Sequence, residues 1–279
     1  MADYERVLIV GVGLLGGSLG MALLRRKLAA QVVGWGRRPE ALQQALELGA
    51  ISEVAHDLPS ACAGTDAVVI CTPVQQVVQN AAEAAQYLTP GAWITDVGSI
   101  KGSICSGLPA AVHPFFCGAH PLAGSEKSGV AFADAQLFQD RLTIVTPTDD
   151  TPADLADRVA KFWEQVGSQT LRMTPDEHDQ AVARISHLPH LLASALAGVT
   201  PDGLLPLAAS GWCDTTRVAA GNVELWRQIM CENRSPLLAA ARKYRAALDE
   251  WIEALERGDD ERLQHLLQTG KQQRDSVGN

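Results

Sequence analysis

The run Val7-Leu8-Ile9-Val10-Gly11-Val12-Gly13-Leu14-Leu15-Gly16-Gly17-Ser18 decides the fold. Its first four residues are apolar and mostly β-branched, as in a buried strand, and the residues after Gly13 suit a helix. Between them lie three glycines at G-x-G-x-x-G spacing. In that pattern Gly11 permits the tight turn, Gly13 lets backbone approach a pyrophosphate, and Gly16 allows close helix–strand packing. The helix then starts at Leu14 and Leu15 with unpaired N–H groups and the positive end of its dipole turned to the phosphates. The spacing alone is a weak signal, because a purely structural turn can share it. Its place after a strand and before a helix is the context that dinucleotide binding requires.

The second strand, Gln31-Val32-Val33-Gly34-Trp35, ends in Gly36, Arg37 and Arg38. An NAD-binding unit places Asp or Glu here to accept from the ribose 2′-OH. A carboxylate would repel a 2′-phosphate, whereas a guanidinium pairs with it and stacks on adenine. The expected cofactor is therefore NADP, with NAD as the second choice. A solvated arginine pair at a strand end is the plain alternative.

The chain has 279 residues, enough for two domains with cores of their own, and a net charge of −9. Apart from Arg25-Arg26-Lys27 it has no basic run, which argues against a nucleic-acid or anionic-membrane partner. A polar start and the lack of a long apolar stretch predict neither signal peptide nor membrane span. The cysteines at 62, 71, 105, 117, 213 and 231 have no C-x-x-C spacing and read as reduced packing residues of a cytoplasmic protein.

Up to about residue 172 strand-like and helix-like segments alternate. Strands are expected at 6–10, 31–35, 67–71, 92–96, 115–118, 141–146 and 168–172, with helical periodicity over 14–27, 41–48, 75–87 and around Leu155, Val159, Phe162, Trp163 and Val166. This predicts an α/β domain over 1–172, a doubly wound and mostly parallel sheet covered by helices. From Thr174 the strand signal ends, and 173–279 reads as an all-α domain. Thr174-Pro175-Asp176-Glu177 has the form of a helix start. Further helices are expected at 215–232 and along Leu237, Leu238, Ala241, Tyr244, Leu248, Trp251, Ile252 and Leu255. That stripe is wide for a domain of this size, so part of it is expected at a dimer interface, an internal bundle core being the alternative. The last eight residues read as frayed.

Several segments carry polar groups suited to chemistry. Thr72 and Pro73 follow the apolar run 67–70, at the rim where strand ends border a cofactor crevice. By themselves they make only a strand-ending turn. Ser99, in Asp96-Val97-Gly98-Ser99-Ile100-Lys101-Gly102, can donate to substrate or nicotinamide or can cap a helix. His120 heads the polar, glycine-bracketed loop Gly118–Gly129. Alcohol oxidation needs an acceptor for the hydroxyl proton as hydride leaves, and an imidazole titrates in the right range. His113-Pro114 repeats the dipeptide but precedes the strand, so it points to the other end of the sheet. His187 and His190 share a helix face, either toward substrate or as satisfied interior histidines. No third ligand accompanies them at metal spacing, so no metal is expected. Arg217 near Asp214 reads as a carboxylate-binding guanidinium or as half of a structural ion pair.

Taken together, these segments resemble the prephenate/arogenate dehydrogenase family of tyrosine biosynthesis. The resemblance rests on the G-x-G-x-x-G-G-S start, Asp96–Lys101, His120-Pro121-Leu122-Ala123-Gly124-Ser125-Glu126-Lys127-Ser128-Gly129, Ser186-His187-Leu188-Pro189-His190, Asp214-Thr215-Thr216-Arg217 and Trp226-Arg227. The blocks keep the family's order over nearly the whole chain. The resemblance implies a cytoplasmic homodimer with an N-terminal Rossmann domain and a C-terminal helical dimerisation domain. It implies that His120 takes the proton of a ring hydroxyl and that Ser99 orients that hydroxyl and the nicotinamide. Arg217 would bind a substrate carboxylate beside a polar gate of Asp214 and Glu126, with His190 and Ser125 lining the pocket. Gly36-Arg37 departs from NAD-using members. Two other readings stay open: a 3-hydroxyacid or imine-reducing dehydrogenase, and a catalytically silent NADP-binding sensor.

Overall fold

The computed structural model describes residues 2–124 and 127–278. It divides into two compact units, Met1–Ala181 with Gly221–Glu232, and Val182–Ala220 with Asn233–Asn279.

The first unit opens with β1 (Tyr4–Val10), α1 (Leu14–Arg25), β2 (Ala29–Trp35), α2 (Pro39–Glu47), β3 (Glu53–Val54), α3 (Leu58–Cys62), β4 (Ala67–Ile70), α4 (Val74–Ala85), β5 (Trp93–Asp96) and α5 (Gly102–Gly107). Its five strands pair in parallel in the order β3-β2-β1-β4-β5. The order reverses direction between β1 and β4, which leaves a crevice at their carboxyl ends. Alternation along the strands explains why they read as unbroken apolar runs. Val7, Ile9, Ala67 and Val69 pack into one core with α1, while Leu8, Val10, Val68 and Ile70 pack into the other with α4. Both faces are covered, so neither needs polar residues.

The unit continues with β6 (Gly118–Pro121), β7 (Leu142–Thr146), α6 (Ala153–Val166), β8 (Gln169–Arg172) and α7 (Pro175–Val182). Here β6 runs antiparallel to β7, and β7 parallel to β8. One parallel bridge from Ile94 to Phe116 links the segment before β6 to β5. The strand expected at 115–118 is displaced. Pro114 starts a 3₁₀ turn over His113–Phe115, and pairing with β7 begins only at Gly118. His120 therefore sits on a strand, opposite Ile144, rather than at the head of a loop. Two short elements, β3 and α3, are too brief for periodicity to reveal.

The helix start at Thr174 is a capping box. Glu177 N–H donates to Thr174 Oγ1 at 3.2 Å, and Thr174 N–H donates to the Glu177 carboxylate at 2.9 Å.

In the second unit a π-helical turn, Ala183–His187, precedes α8 (Leu188–Val199), followed by α9 (Ser210–Thr216). The helix expected over 215–232 is broken. A 3₁₀ turn at Arg217–Ala220 precedes α10 (Val223–Glu232), which is grouped with the first unit. Gly221-Asn222 separates the two, and Asn222 Oδ1 accepts from Leu225 N–H at 2.9 Å at the new helix start. Then come α11 (Arg234–Arg257) and α12 (Asp260–Ser276). The expected frayed end is instead helical to Ser276, with Lys271 and Asp275 paired one turn apart. Along α11 Leu237 and Ala240 are buried, whereas Tyr244, Leu248, Ile252 and Leu255 are exposed on the single chain.

Candidate active site

A cleft of about 540 Å³ lies at the carboxyl ends of β1, β2 and β4, lined by Gly11, Gly13, Gly36, Arg37, Arg38, Thr72 and Pro73 among others. The backbone there suits a dinucleotide. Gly11 has φ +93°, a left-handed conformation that glycine adopts without strain. A Cβ at Gly13 would meet nothing within 4 Å, so that backbone faces open space. A Cβ at Gly16 would instead press on the Gly11 carbonyl oxygen and lie 2.9 Å from Ile9, so this glycine sets how closely α1 meets β1. Helix α1 starts at Leu14-Leu15 without a side-chain cap, which leaves its first N–H groups for an anion. Leu14 and Leu15 contribute backbone there; the Leu15 side chain packs on the core.

Both arginines are exposed, and among the described residues neither forms an ion pair with a carboxylate. The acid lining the cleft is Glu83, on α4 rather than at the end of β2. Thr72 Oγ1 accepts from Asn80 Nδ2 at 2.9 Å, which fixes the hydroxyl at the rim.

Beyond β5 a buried polar cluster holds His120. Lys101 and Asp96 are fully buried and form an ion pair. Lys101 Nζ also donates to the Ala119 carbonyl at 2.8 Å, and Asp96 Oδ1 accepts from Ala119 N–H at 3.1 Å. The peptide units next to His120 are thereby clamped from both sides. His120 Nδ1 lies 2.8 Å from His178 Nε2 on α7, and His178 Nδ1 lies 2.7 Å from Asp179 Oδ1. The Asp179 carboxylate also accepts from the backbone N–H groups of Lys101 and Gly102, each at 2.8 Å. Burial acts to raise the Asp179 pKa, but the bonds from His178 and those two N–H groups outweigh it and hold the carboxyl below its ordinary range. Ser99 is half-buried between β5 and α5. The cap position of α5 belongs to Lys101, so the capping alternative for the Ser99 hydroxyl is not used.

His113 lies apart from this cluster. Its Nδ1 is 2.9 Å from Asp150 and its Nε2 is 3.2 Å from the Leu108 carbonyl. The histidine pair His120–His178, with Asp179 and the Lys101–Asp96 ion pair, was not legible as one group. The only signals were a His-Asp dipeptide one residue past a capping-box proline turn and a lysine inside a recognised block.

In the helical unit His187 is buried, and its Nδ1 accepts from Asn233 Nδ2 at 3.0 Å. His190 is also buried, which pushes its imidazole pKa down and favours the neutral ring. Asp214 on α9 and Arg217 on the following turn are both exposed. They do not pair within 4.0 Å, so the internal ion pair considered for Arg217 is not formed. Ser125 and Glu126 lie outside the described residues. Among those described, no group of three or more His, Cys, Asp or Glu could hold a metal, and no helix is long and apolar enough to cross a membrane.

Comparison with known proteins identifies the family. Residues 19–172 match the family model "Prephenate dehydrogenase, nucleotide-binding domain", and residues 174–269 match "Prephenate dehydrogenase, dimerization domain". The chain is 32% identical to a prephenate dehydrogenase of Bacillus subtilis over 98% of its own length and 76% of that protein. It is also 32% identical to a cyclohexadienyl dehydrogenase of Zymomonas mobilis, over 97% of this chain and 96% of the relative. Among solved structures, prephenate dehydrogenase from A. aeolicus in complex with hydroxyphenyl propionate and NAD+ superposes with a TM-score of 0.91, at 31% identity over 98% of both chains. The glycine turn, the strand order and both matched domains lead to one conclusion: the chain belongs to the prephenate/arogenate dehydrogenase family.

Proposed function

We propose that this enzyme oxidatively decarboxylates arogenate, prephenate or both, giving tyrosine or 4-hydroxyphenylpyruvate, with NADP preferred over NAD. The observation that carries the reading is His120, held on β6 by a buried histidine–carboxylate pair in the unit that bears the dinucleotide cleft. The relatives leave both substrates in play, since one is named for cyclohexadienyl compounds and a solved Synechocystis structure for arogenate.

The substrate ring carries a hydroxyl on one carbon and a carboxylate on the carbon para to it. A nicotinamide dinucleotide held by Gly11, Gly13, Arg37 and Arg38 would supply the acceptor for hydride from the hydroxyl-bearing carbon. His120 accepts the hydroxyl proton as that carbon becomes carbonyl-like. The electron pair of the breaking C–CO₂ bond moves through the ring to the same oxygen, carbon dioxide leaves, and the aromatic oxygen recovers a proton from the imidazolium. Aromatisation makes the sequence effectively irreversible. Ser99 orients the hydroxyl, and Arg217 binds a substrate carboxylate through charge-assisted bonds. Asp214, His187 and His190 supply further polar groups to the substrate, as do Ser125 and Glu126.

The preference for NADP is supported by Gly36, Arg37 and Arg38 in the cleft wall. Residues 1–172 bind the dinucleotide in this scheme, while 173–279 bind substrate and form a homodimer through the exposed stripe of α11, in the cytoplasm. The test is the rate of reduced-cofactor formation at four combinations, prephenate or arogenate with NADP or NAD. Turnover with at least one of the substrates, and a higher kcat/KM for NADP, is the expected result. No turnover with either substrate would remove the reading, and a clear NAD preference would remove the role of Arg37.

A further inference from the structure

Resting on the assignment of His120 as the base, we propose that His178 and Asp179 are its positioning residues, fixing the His120 proton on Nδ1 and sharing the charge that arrives at Nε2. An ionised carboxylate only accepts hydrogen bonds, and that of Asp179 already accepts two backbone N–H groups. His178 Nδ1, at 2.7 Å, must therefore carry a proton. In the proposed resting state His178 is neutral and presents a lone pair at Nε2, so His120 Nδ1 offers it an N–H across 2.8 Å. That assigns the lone pair of His120 to Nε2, the nitrogen that meets the hydroxyl. The carboxylate of a Ser-His-Asp triad fixes its histidine by the same logic, here extended by one imidazole.

The cluster is built to hold this arrangement. His178 is fully buried and Asp179 nearly so. Gly102 leaves room for the carboxylate, because a Cβ there would lie 2.8 Å from Asp179 Oδ2. The rings of His120 and His178 meet edge-on at 71°, so the bond lies near the ring plane of its donor or acceptor rather than across stacked faces. When His120 takes the substrate proton, its Nδ1–H can move toward His178 Nε2, and the positive charge then rests beside Asp179. The same proton returns when the product oxygen is protonated, so the relay is neutral over a turnover. Among the described residues, Asp96 and Lys101, which neutralise one another, and the thiol of Cys105, which burial pushes up to about 12, also lie close to Asp179.

The test is His178→Gln in the full-length protein, with His120→Asn beside it. His178→Gln breaks the link between the Asp179 carboxylate and His120, so the His120 imidazolium loses the anion that stabilises it. The expected result is a kcat roughly ten- to a hundredfold lower, less than the about 10²–10⁴-fold that loss of the base itself would cost. The acid limb of the kcat–pH profile moves to lower pH, and the KM values for cofactor and substrate stay within about threefold of wild type. Asp179→Asn should move the limb the same way. A merely structural role would lower the melting temperature or raise KM and leave the limb in place. Wild-type kcat and limb in a folded His178→Gln, with His120→Asn inactive, would overturn the relay while leaving the base assignment intact. An active His120→Asn would overturn the base assignment itself. If both His178 and Asp179 variants fail to fold, ¹⁵N-imidazole NMR of the wild-type protein decides. Protons on Nδ1 of both His120 and His178 at neutral pH support the relay, and a proton on Nε2 of either overturns it.

Discussion

Lys101 shows how much of the site's precision is held by single side chains outside the reacting centre. Its ammonium is fully buried, pairs with Asp96 and holds the carbonyl next to His120. Replacing one member of such a pair leaves a charge buried without its partner, at a cost of about 3–5 kcal/mol. Lys101→Met should accordingly lose that much in urea unfolding, and an unchanged midpoint would show that Asp96 is compensated elsewhere. Arg217 makes the opposite case. It is exposed, and its neighbour Asp214 does not engage it, so its removal should cost little stability. A charge-assisted bond to a substrate carboxylate is worth roughly 1.5–3 kcal/mol. Arg217→Ala is expected to raise the substrate KM about ten- to a hundredfold, with kcat changed far less. Steady-state kinetics checks this, and an unchanged KM returns Arg217 to the surface.

At the scale of the element, the β1–turn–α1 unit has the least freedom. The helix can lie against the strand only because Gly16 lacks a side chain, and Gly16→Ala should destabilise the fold by about 1–3 kcal/mol and weaken cofactor binding with it. Urea midpoints and a fluorescence titration with NADPH would show both effects; a silent substitution would mean that the helix can shift. This element was fully legible in the sequence because its residues are dictated by backbone geometry alone. The strand at 115–118 was misplaced for the same kind of reason in reverse. The run Phe115–Cys117 is apolar enough for a strand, but Pro114 and the partner β7 decide where pairing begins, and the partner of Gly118 is Thr146, too far along the chain to leave a local trace. The link between His120 and His178 was hidden likewise, since 58 residues separate them and only the fold brings them together. The break between α9 and α10 was signalled by Gly221-Asn222, which an otherwise helical stretch masked.

At the scale of the whole molecule, the apolar stripe of α11 is the feature that a single chain does not use. Leu248 and Ile252, one turn apart, are each 45% exposed and form part of a contiguous apolar stripe rather than isolated surface side chains. If they form the core of a dimer contact, Leu248→Glu with Ile252→Glu should weaken self-association by roughly a hundredfold or more, as loss of central apolar contacts does. Light scattering across a dilution series reads this directly, and self-association that the substitutions leave unchanged would move the proposed interface to another face. The proposed reaction also depends on one division of labour, in which the sheet unit would hold the cofactor and present the base. The most direct test is kcat and NADPH affinity for His120→Asn, whose smaller carboxamide can still hydrogen-bond but cannot take up a proton. A kcat lower by about 10²–10⁴-fold with NADPH affinity unchanged is predicted; turnover near the wild-type rate would contradict the role given to His120.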